Sequence, residues 1–233
     1  MAEITGNGVL IDRVIAKAFA TNCWILSQAG SGEGLIVDPG IGDPYLHQAL
    51  LDRCRELRLR PVAALITHGH LDHMFSIAPL CESERIPAFI HSDDRALLAN
   101  PERALTKSTQ AMIPREITFT EPDEVVELSD GLSIELAGLC LTIHHAPGHT
   151  PGSVVALVNS EYLVSGDVLF AGSIGRTDLP LGSLSDMESS LRAKIIPLPD
   201  EVEVLPGHGR TTTIGAERRN NWFLRAAMEG RLG

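Results

Sequence analysis

Val62-Ala63-Ala64-Leu65-Ile66-Thr67-His68-Gly69-His70-Leu71-Asp72-His73 is the stretch on which the reading of this chain turns. Its first half is a short continuous apolar run, the pattern of a strand buried on both faces. Its second half gathers His68, His70, Asp72 and His73 around a single glycine. The first three recur at a period of two just beyond the strand's carboxyl end, where open α/β sheets bind ligands. His73 opens a predicted helix over 73–84 and turns elsewhere, so one short segment can serve two binding positions.

Outward from this stretch the pattern is legible in both directions. Upstream, strands are predicted over 9–11, 23–26 and 35–37. Gly30-Ser31-Gly32-Glu33-Gly34 reads as a hairpin turn, because a nucleotide-binding glycine loop opens a helix and here another strand follows. Asp43-Pro44 starts a helix that carries Leu46, Ala49, Leu50 and Leu57 and ends before Pro61. Downstream come a strand at 88–90 and a helix at 93–99. Residues 100–123 hold Pro101, Pro114 and Pro122 without a period, and read as a long functional loop, a lid or a homodimer contact.

The second half repeats the scheme. Strands are predicted over 125–128, 132–136, 139–144, 153–158 and 162–165, then a helix near 184–194, a strand at 202–205 and a last helix near 213–229. Two β-rich halves, each closing in helix, predict two sheets packed face to face with helices outside, a four-layer αββα sandwich of the α/β (α+β) class. No low-complexity linker divides the chain, so 1–233 is taken as one domain.

Composition removes several function classes. Thirty acidic residues against 19 Lys and Arg leave a net charge of −11, which disfavours nucleic acid and anionic membrane as partners. Hydrophobic content of 44% with 21% charged residues is that of a folding chain. No apolar run approaches the roughly 20 residues of a bilayer span, and Glu3 with Gly6 and Asn7 stands where a secretory leader would place a basic end. A cytoplasmic protein is expected. Cys23, Cys54, Cys81 and Cys140 are spaced as reduced, mostly buried thiols.

Chemistry concentrates in a few places. Of nine His, five lie in 68–73, in Pro147-Gly148-His149-Thr150 and in Pro206-Gly207-His208-Gly209, and Asp167 follows Ser165-Gly166. Imidazole and carboxylate donors without clustered Cys suit zinc, iron or manganese in an open, catalytic site. A carboxylate such as Asp167 can bridge two ions. His47, His144 and His145 lack such a context and read as structural; His91 reads as a strand end leading into a helix cap.

Through THGHLDH (67–73), PGHTPGS (147–153), SGDVLF (165–170) and PGHG (206–209), the sequence resembles the metallo-β-lactamase superfamily and, within it, short glyoxalase II-like (hydroxyacylglutathione hydrolase-like) thioesterases. The resemblance spans nearly the whole chain. It implies one divalent ion on His68, His70 and His149, a second on Asp72, His73 and His208, and Asp167 between them. The ions would be zinc, with iron or manganese as alternatives. Asp38, in Val37-Asp38-Pro39-Gly40, would orient a ligand imidazole. Arg176, in Gly175-Arg176-Thr177-Asp178, stands where long glyoxalase II enzymes place a Lys and would bind a substrate carboxylate or carbonyl.

The implied reaction is hydrolysis of a small-molecule thioester such as an S-2-hydroxyacylglutathione by a metal-bridging hydroxide that Asp72 orients. Persulfide dioxygenases share the Gly-Arg-Thr-Asp segment, which gives a rival reading with one iron on His68, His149 and Asp167. A non-catalytic metal-binding regulatory protein is the third.

Overall fold

Side chains alternate across the strands and thereby sort into separate apolar layers. The computed structural model describes residues 3–42, 46–111 and 117–232. Its first half holds β1 (Glu3–Ile4), β2 (Val9–Ile15), β3 (Asn22–Gln28), β4 (Glu33–Val37), α1 (Leu46–Glu56), β5 (Arg60–Leu65), α2 (Leu71–Met74), α3 (Ile77–Glu84), β6 (Ala88–His91), α4 (Ser92–Arg95), α5 (Lys107–Gln110) and β7 (Val125–Leu128). The second holds β8 (Ser133–Leu136), β9 (Leu139–His145), β10 (Val154–Val158), β11 (Tyr162–Gly166), α6 (Leu184–Ser190), β12 (Glu203–Pro206), β13 (Thr212–Thr213), α7 (Ile214–Asn220) and α8 (Trp222–Met228).

β1 to β7 form one sheet in sequence order, and β13-β12-β11-β10-β9-β8 the other. Leu35 and Val37 of β4, Leu65 of β5, Ala156 of β10 and Val164 of β11 meet in the layer between the sheets. Their neighbours Ile36 and Ala64 face α1 and α3 instead, while Val155 and Leu163 face α6 and α8. Three apolar layers separate four layers of structure, the αββα sandwich expected from the sequence. Leu35, Ile36 and Leu65 are fully buried, and each such side chain contributes about 1.5–3 kcal/mol.

Several boundaries differ from expectation for local reasons. The helix expected over 73–84 begins at Leu71 and breaks at Phe75 and Ser76. Ser76 donates its amide to Pro39 O at 2.9 Å and its hydroxyl to Gly40 O at 2.8 Å, which turns the chain toward the loop after β4. The last helix divides at Asn221, whose side chain accepts from Phe223 and Leu224 amides and so caps α8. In the loop at 100–123 the described part carries a 3-10 turn, Pro101–Ala104, and α5. Residues 112–116, and the helix start expected at Asp43-Pro44, lie outside the described residues. The glycine-rich segment at 30–34 does join two antiparallel strands, β3 and β4.

All four cysteines are free thiols, three of them buried. Among the described residues no helix is long and apolar enough to cross a membrane.

The layering brings one end of both sheets together. Asn22 at the start of β3 donates its amide to Gly207 O at 2.7 Å, and its side chain to Pro206 O at 2.9 Å. Val154 at the start of β10 donates to Thr67 O at 2.8 Å. Loops leaving β4, β5, β9, β11 and β12 therefore converge at this rim.

Candidate metal centre

Each loop delivers its donors through a local device. The residue after β4, Asp38, takes φ 51°, a left-handed conformation that a short acidic side chain tolerates better than most. That turn puts its carboxylate under the 67–73 segment: it accepts from the Thr67 amide and hydroxyl, both at 2.8 Å, and from His73 Nδ1 at 2.9 Å. Gly207 is required by space, because a Cβ there would collide with the Asp167 carboxylate and lie 2.6 Å from His73 Cε1.

Hydrogen bonding fixes which imidazole nitrogens carry protons. The Thr67 hydroxyl donates to Asp38, so His68 Nδ1, 3.1 Å away, donates to Thr67 Oγ1. His73 Nδ1 donates to Asp38, His149 Nδ1 to the Arg176 carbonyl at 2.7 Å, and His208 Nδ1 to the Phe19 carbonyl at 3.1 Å. Four rings are thus left with Nε2 turned toward one place. His70 presents Nδ1, 2.8 Å from His149 Nε2.

Two triads result, His68–His70–His149 and Asp72–His73–His208, each with its donor atoms within 4.8 Å of one another. Asp167 touches both: its oxygens lie 3.5 Å from His149 Nε2, 3.3 Å from His73 Nε2 and 3.5 Å from His208 Nε2. His68 Nε2, His70 Nε2 and Asp167 Oδ1 are buried without a hydrogen-bond partner. Such orphaned groups are costly unless something else satisfies them, and a divalent cation does so for His68 Nε2 and Asp167 Oδ1, while His70 turns its Nδ1 to the site. Donor set and geometry fit metal ions.

The triads differ electrically. Burial, then the neighbouring imidazoles, holds His68 well below its ordinary pKa. Burial and His149 push His70 down to about 3. Burial would lower His73 too, but the carboxylates of Asp167, Asp72 and Asp38 outweigh it and push it up to about 10. His208 likewise rises against its burial, through Asp72 and Asp167. Asp72 falls far below the usual carboxylate range, burial being outweighed by His73 and His208. In the first triad burial keeps His68 and His70 neutral; the second is a cluster of ion pairs.

A cavity of about 390 Å³ opens onto His70, Asp72, His149, Asp167 and His208. Phe19, Leu105, Phe170 and Ile174 give it an apolar wall, and Arg176 stands at its edge. The Arg176 guanidinium grips the Asp178 carboxylate at 2.9 and 2.8 Å. All the residues singled out in the sequence for this site therefore come together, Asp38 beneath and Arg176 at the mouth.

Sequence reading missed others. Asp94 on α4 is fully buried and accepts from the Gly69 amide at 2.7 Å, the Thr150 hydroxyl at 2.6 Å and the Gly152 amide at 2.7 Å. Its only sequence signal is an acid following a strand-end His, a pattern shared with ordinary helix caps. His91, Asp93 and His145 form a further cluster. The two rings stack at 3.9 Å and 9°, so their lone pairs run parallel instead of converging, and His145 Nε2 donates to Pro151 O at 2.7 Å. That cluster is packing, and it pins α4 onto β9.

Comparison with known proteins agrees with this geometry. An uncharacterized protein of Mycobacterium tuberculosis is 41% identical over 223 residues, covering 93% of this chain and 98% of its own. The hydroxyacylglutathione hydrolase GloC of Haemophilus influenzae is 34% identical over 220 residues, 92% and 97% of the two chains. Among solved structures, BLEG-1, a B3 metallo-beta-lactamase, superposes with a TM-score of 0.80 at 35% identity over 92% of this chain and 99% of that one. TTHA1623 in a di-iron-bound form gives 0.75 at 32% identity, over 91% and 99%. The family model of the metallo-beta-lactamase superfamily matches residues 16–208. With two sheets, flanking helices and a His/Asp centre at their shared rim, the chain belongs to the metallo-beta-lactamase superfamily.

Proposed function

We propose that the chain is a two-metal hydrolase of small-molecule thioesters. The observation that carries this is Asp167, placed between two complete donor triads, each of which contributes residues to the wall of one cavity. A mononuclear oxygenase on His68, His149 and Asp167 would leave Asp72, His73 and His208 gathered without a task. Bound at the triads, divalent ions supply Lewis acidity, polarising a carbonyl and making water nucleophilic at neutral pH.

The chain's own residues do the rest. Asp72 borders the cavity, its carboxylate kept ionised by His73 and His208 and held by the Thr21 hydroxyl at 3.3 Å. It is the acceptor that orients the attacking water. The apolar wall excludes competing solvent. Arg176 anchors a substrate carboxylate by exchanging it for Asp178; both partners are largely exposed, and such a pair is weak enough to open. A thiol leaving group of pKa about 8.5 departs as thiolate, so no protonated side chain has to be held ready. GloC, a thioester hydrolase by name, supports the substrate class, and the di-iron form of TTHA1623 supports the two-ion centre.

The test is hydrolysis of S-lactoylglutathione by protein stripped with a chelator and then restored with zinc, iron or manganese. Turnover should vanish on stripping and return on restoration. Undiminished turnover after stripping sinks the proposal. The likeness to BLEG-1 favours a β-lactam as the second reading; restored protein that opens a β-lactam ring and spares every thioester would establish that reading instead. Oxygen consumption with glutathione persulfide would mark the dioxygenase.

A further inference from the structure

Two carboxylates lie behind the donor loops, and they hold different things. Asp38 reaches both triads, His73 directly and His68 through the Thr67 hydroxyl. Asp94 reaches one. Its three donors are Gly69 N, which lies between His68 and His70, and Thr150 Oγ1 and Gly152 N, which follow His149. It therefore joins the two loops that supply the His68–His70–His149 triad and makes no hydrogen bond to the loops of Asp167 or His208.

α4 has anchors of its own besides Asp94. His91 caps the helix, its Nδ1 accepting from the Asp93 amide, and its ring stacks on His145 of β9. Arg95 pairs with Glu121 and Glu127, each at 2.9 Å. The Asp94 carboxylate thus hangs from a fixed support. Space tells the same story, since a Cβ on Gly152 would lie 2.6 Å from Asp94 Cβ, Cγ and N. Filling space does not by itself call for an acid here: an apolar side chain would fit but would leave the Gly69 and Gly152 amides without an acceptor, so the carboxylate is there for the bonds it makes across the two loops.

We infer that Asp94 is the positioning residue of the three-imidazole position: by tying the 68–70 loop to the 149–152 loop it sets the angle at which His149 meets His68 and His70, and so the affinity for the ion there. The inference rests on the two-ion reading above. In Asp94→Asn the amide keeps the shape but faces an N–H donor with its own NH₂, so one bond in the clasp becomes a donor–donor contact.

The test is titration of metal-free protein with cobalt(II), followed by visible absorption, with no substrate present. His149→Ala and His208→Ala assign the two binding steps. Asp94→Asn should weaken the three-imidazole step about 10- to 100-fold and leave the other within about twofold, whereas Asp38→Asn should weaken both. Should Asp94→Asn not fold, Thr150→Val removes one bond of the clasp without changing shape and should shift the same step in the same direction; Thr150→Ser should restore it. Wild-type steps in Asp94→Asn, or equal weakening of both, would overturn the inference. If wild-type protein takes up a single cobalt ion, the two-ion reading fails by itself; weakening of that one step by Asp94→Asn then supports the role of Asp94, and an unchanged step refutes it.

Discussion

The two triads are a few ångströms apart and are built on opposite principles. His68, His70 and His149 are buried and drawn from the loops after β5 and β9, with His68 and His70 kept neutral by that burial. Asp72 and His208 are partly open to solvent, His73 is buried between them, and carboxylates face imidazoles in ion pairs. A buried site can afford only neutral donors unless a charge is compensated, so the first triad borrows Asp167 for its negative charge. The open triad supplies its own. The lesson of that contrast is that Asp167, whose oxygens lie against imidazole nitrogens of both triads, is where the two positions meet.

Replacing it gives the largest effect. Asp167→Ala should lose both ions and lower turnover by more than the about 100-fold expected for a group that merely orients a ligand. Metal analysis alongside kinetics checks this, and loss of only one ion would place Asp167 with a single triad.

Acidity sharpens the contrast in metal-free protein. His70 has an ordinary pKa of 6.5 when unfolded and about 3 when folded. The unfolded chain therefore binds a proton that the folded chain refuses, and stability falls as pH drops from 6.5 toward about 3. His73 is shifted the other way, up to about 10. Its contribution is fully present below 6.5 and is lost as pH rises through about 10. Denaturant midpoints across pH should show His70→Asn flattening the acid limb and His73→Gln the alkaline limb. A single mutant that flattens both would erase the distinction between the triads.

The smallest effect belongs to Arg176. Its carbonyl orients His149 while its guanidinium sits at the mouth on Asp178. Arg176→Ala keeps the carbonyl, so metal content should not change. KM for an anionic thioester should rise up to about fivefold, the range of an exposed ion pair, with kcat unaltered. A fall in metal content would show that the side chain supports the buried triad.

How far the sequence anticipated this depends on the kind of contact. His68, His70, Asp72 and His73 announce themselves because donors at tight spacing after an apolar strand are rare, and Gly148, Gly166 and Gly207 mark loops that must approach closely. The layering was legible because period-two alternation sends Leu35 and Ile36 to different cores. Asp94 was not legible. Its partners Thr150 and Gly152 lie more than fifty positions away, and a hydrogen bond across that distance leaves no local period. The break at Ser76 escaped for the same reason, being made by a bond to the distant Gly40 O, whereas the break at Asn221 is made by a local cap on the Phe223 and Leu224 amides that an Asn inside a helical pattern only weakly signals.

The central claim is that two ions acting together hydrolyse a thioester. Metal-free protein should be titrated with zinc while S-lactoylglutathione turnover and bound metal are read from the same samples. The account predicts no turnover without metal, and activity that reaches its full value only as the second ion per chain binds. Full activity at one ion per chain, or turnover in metal-free samples, would contradict it.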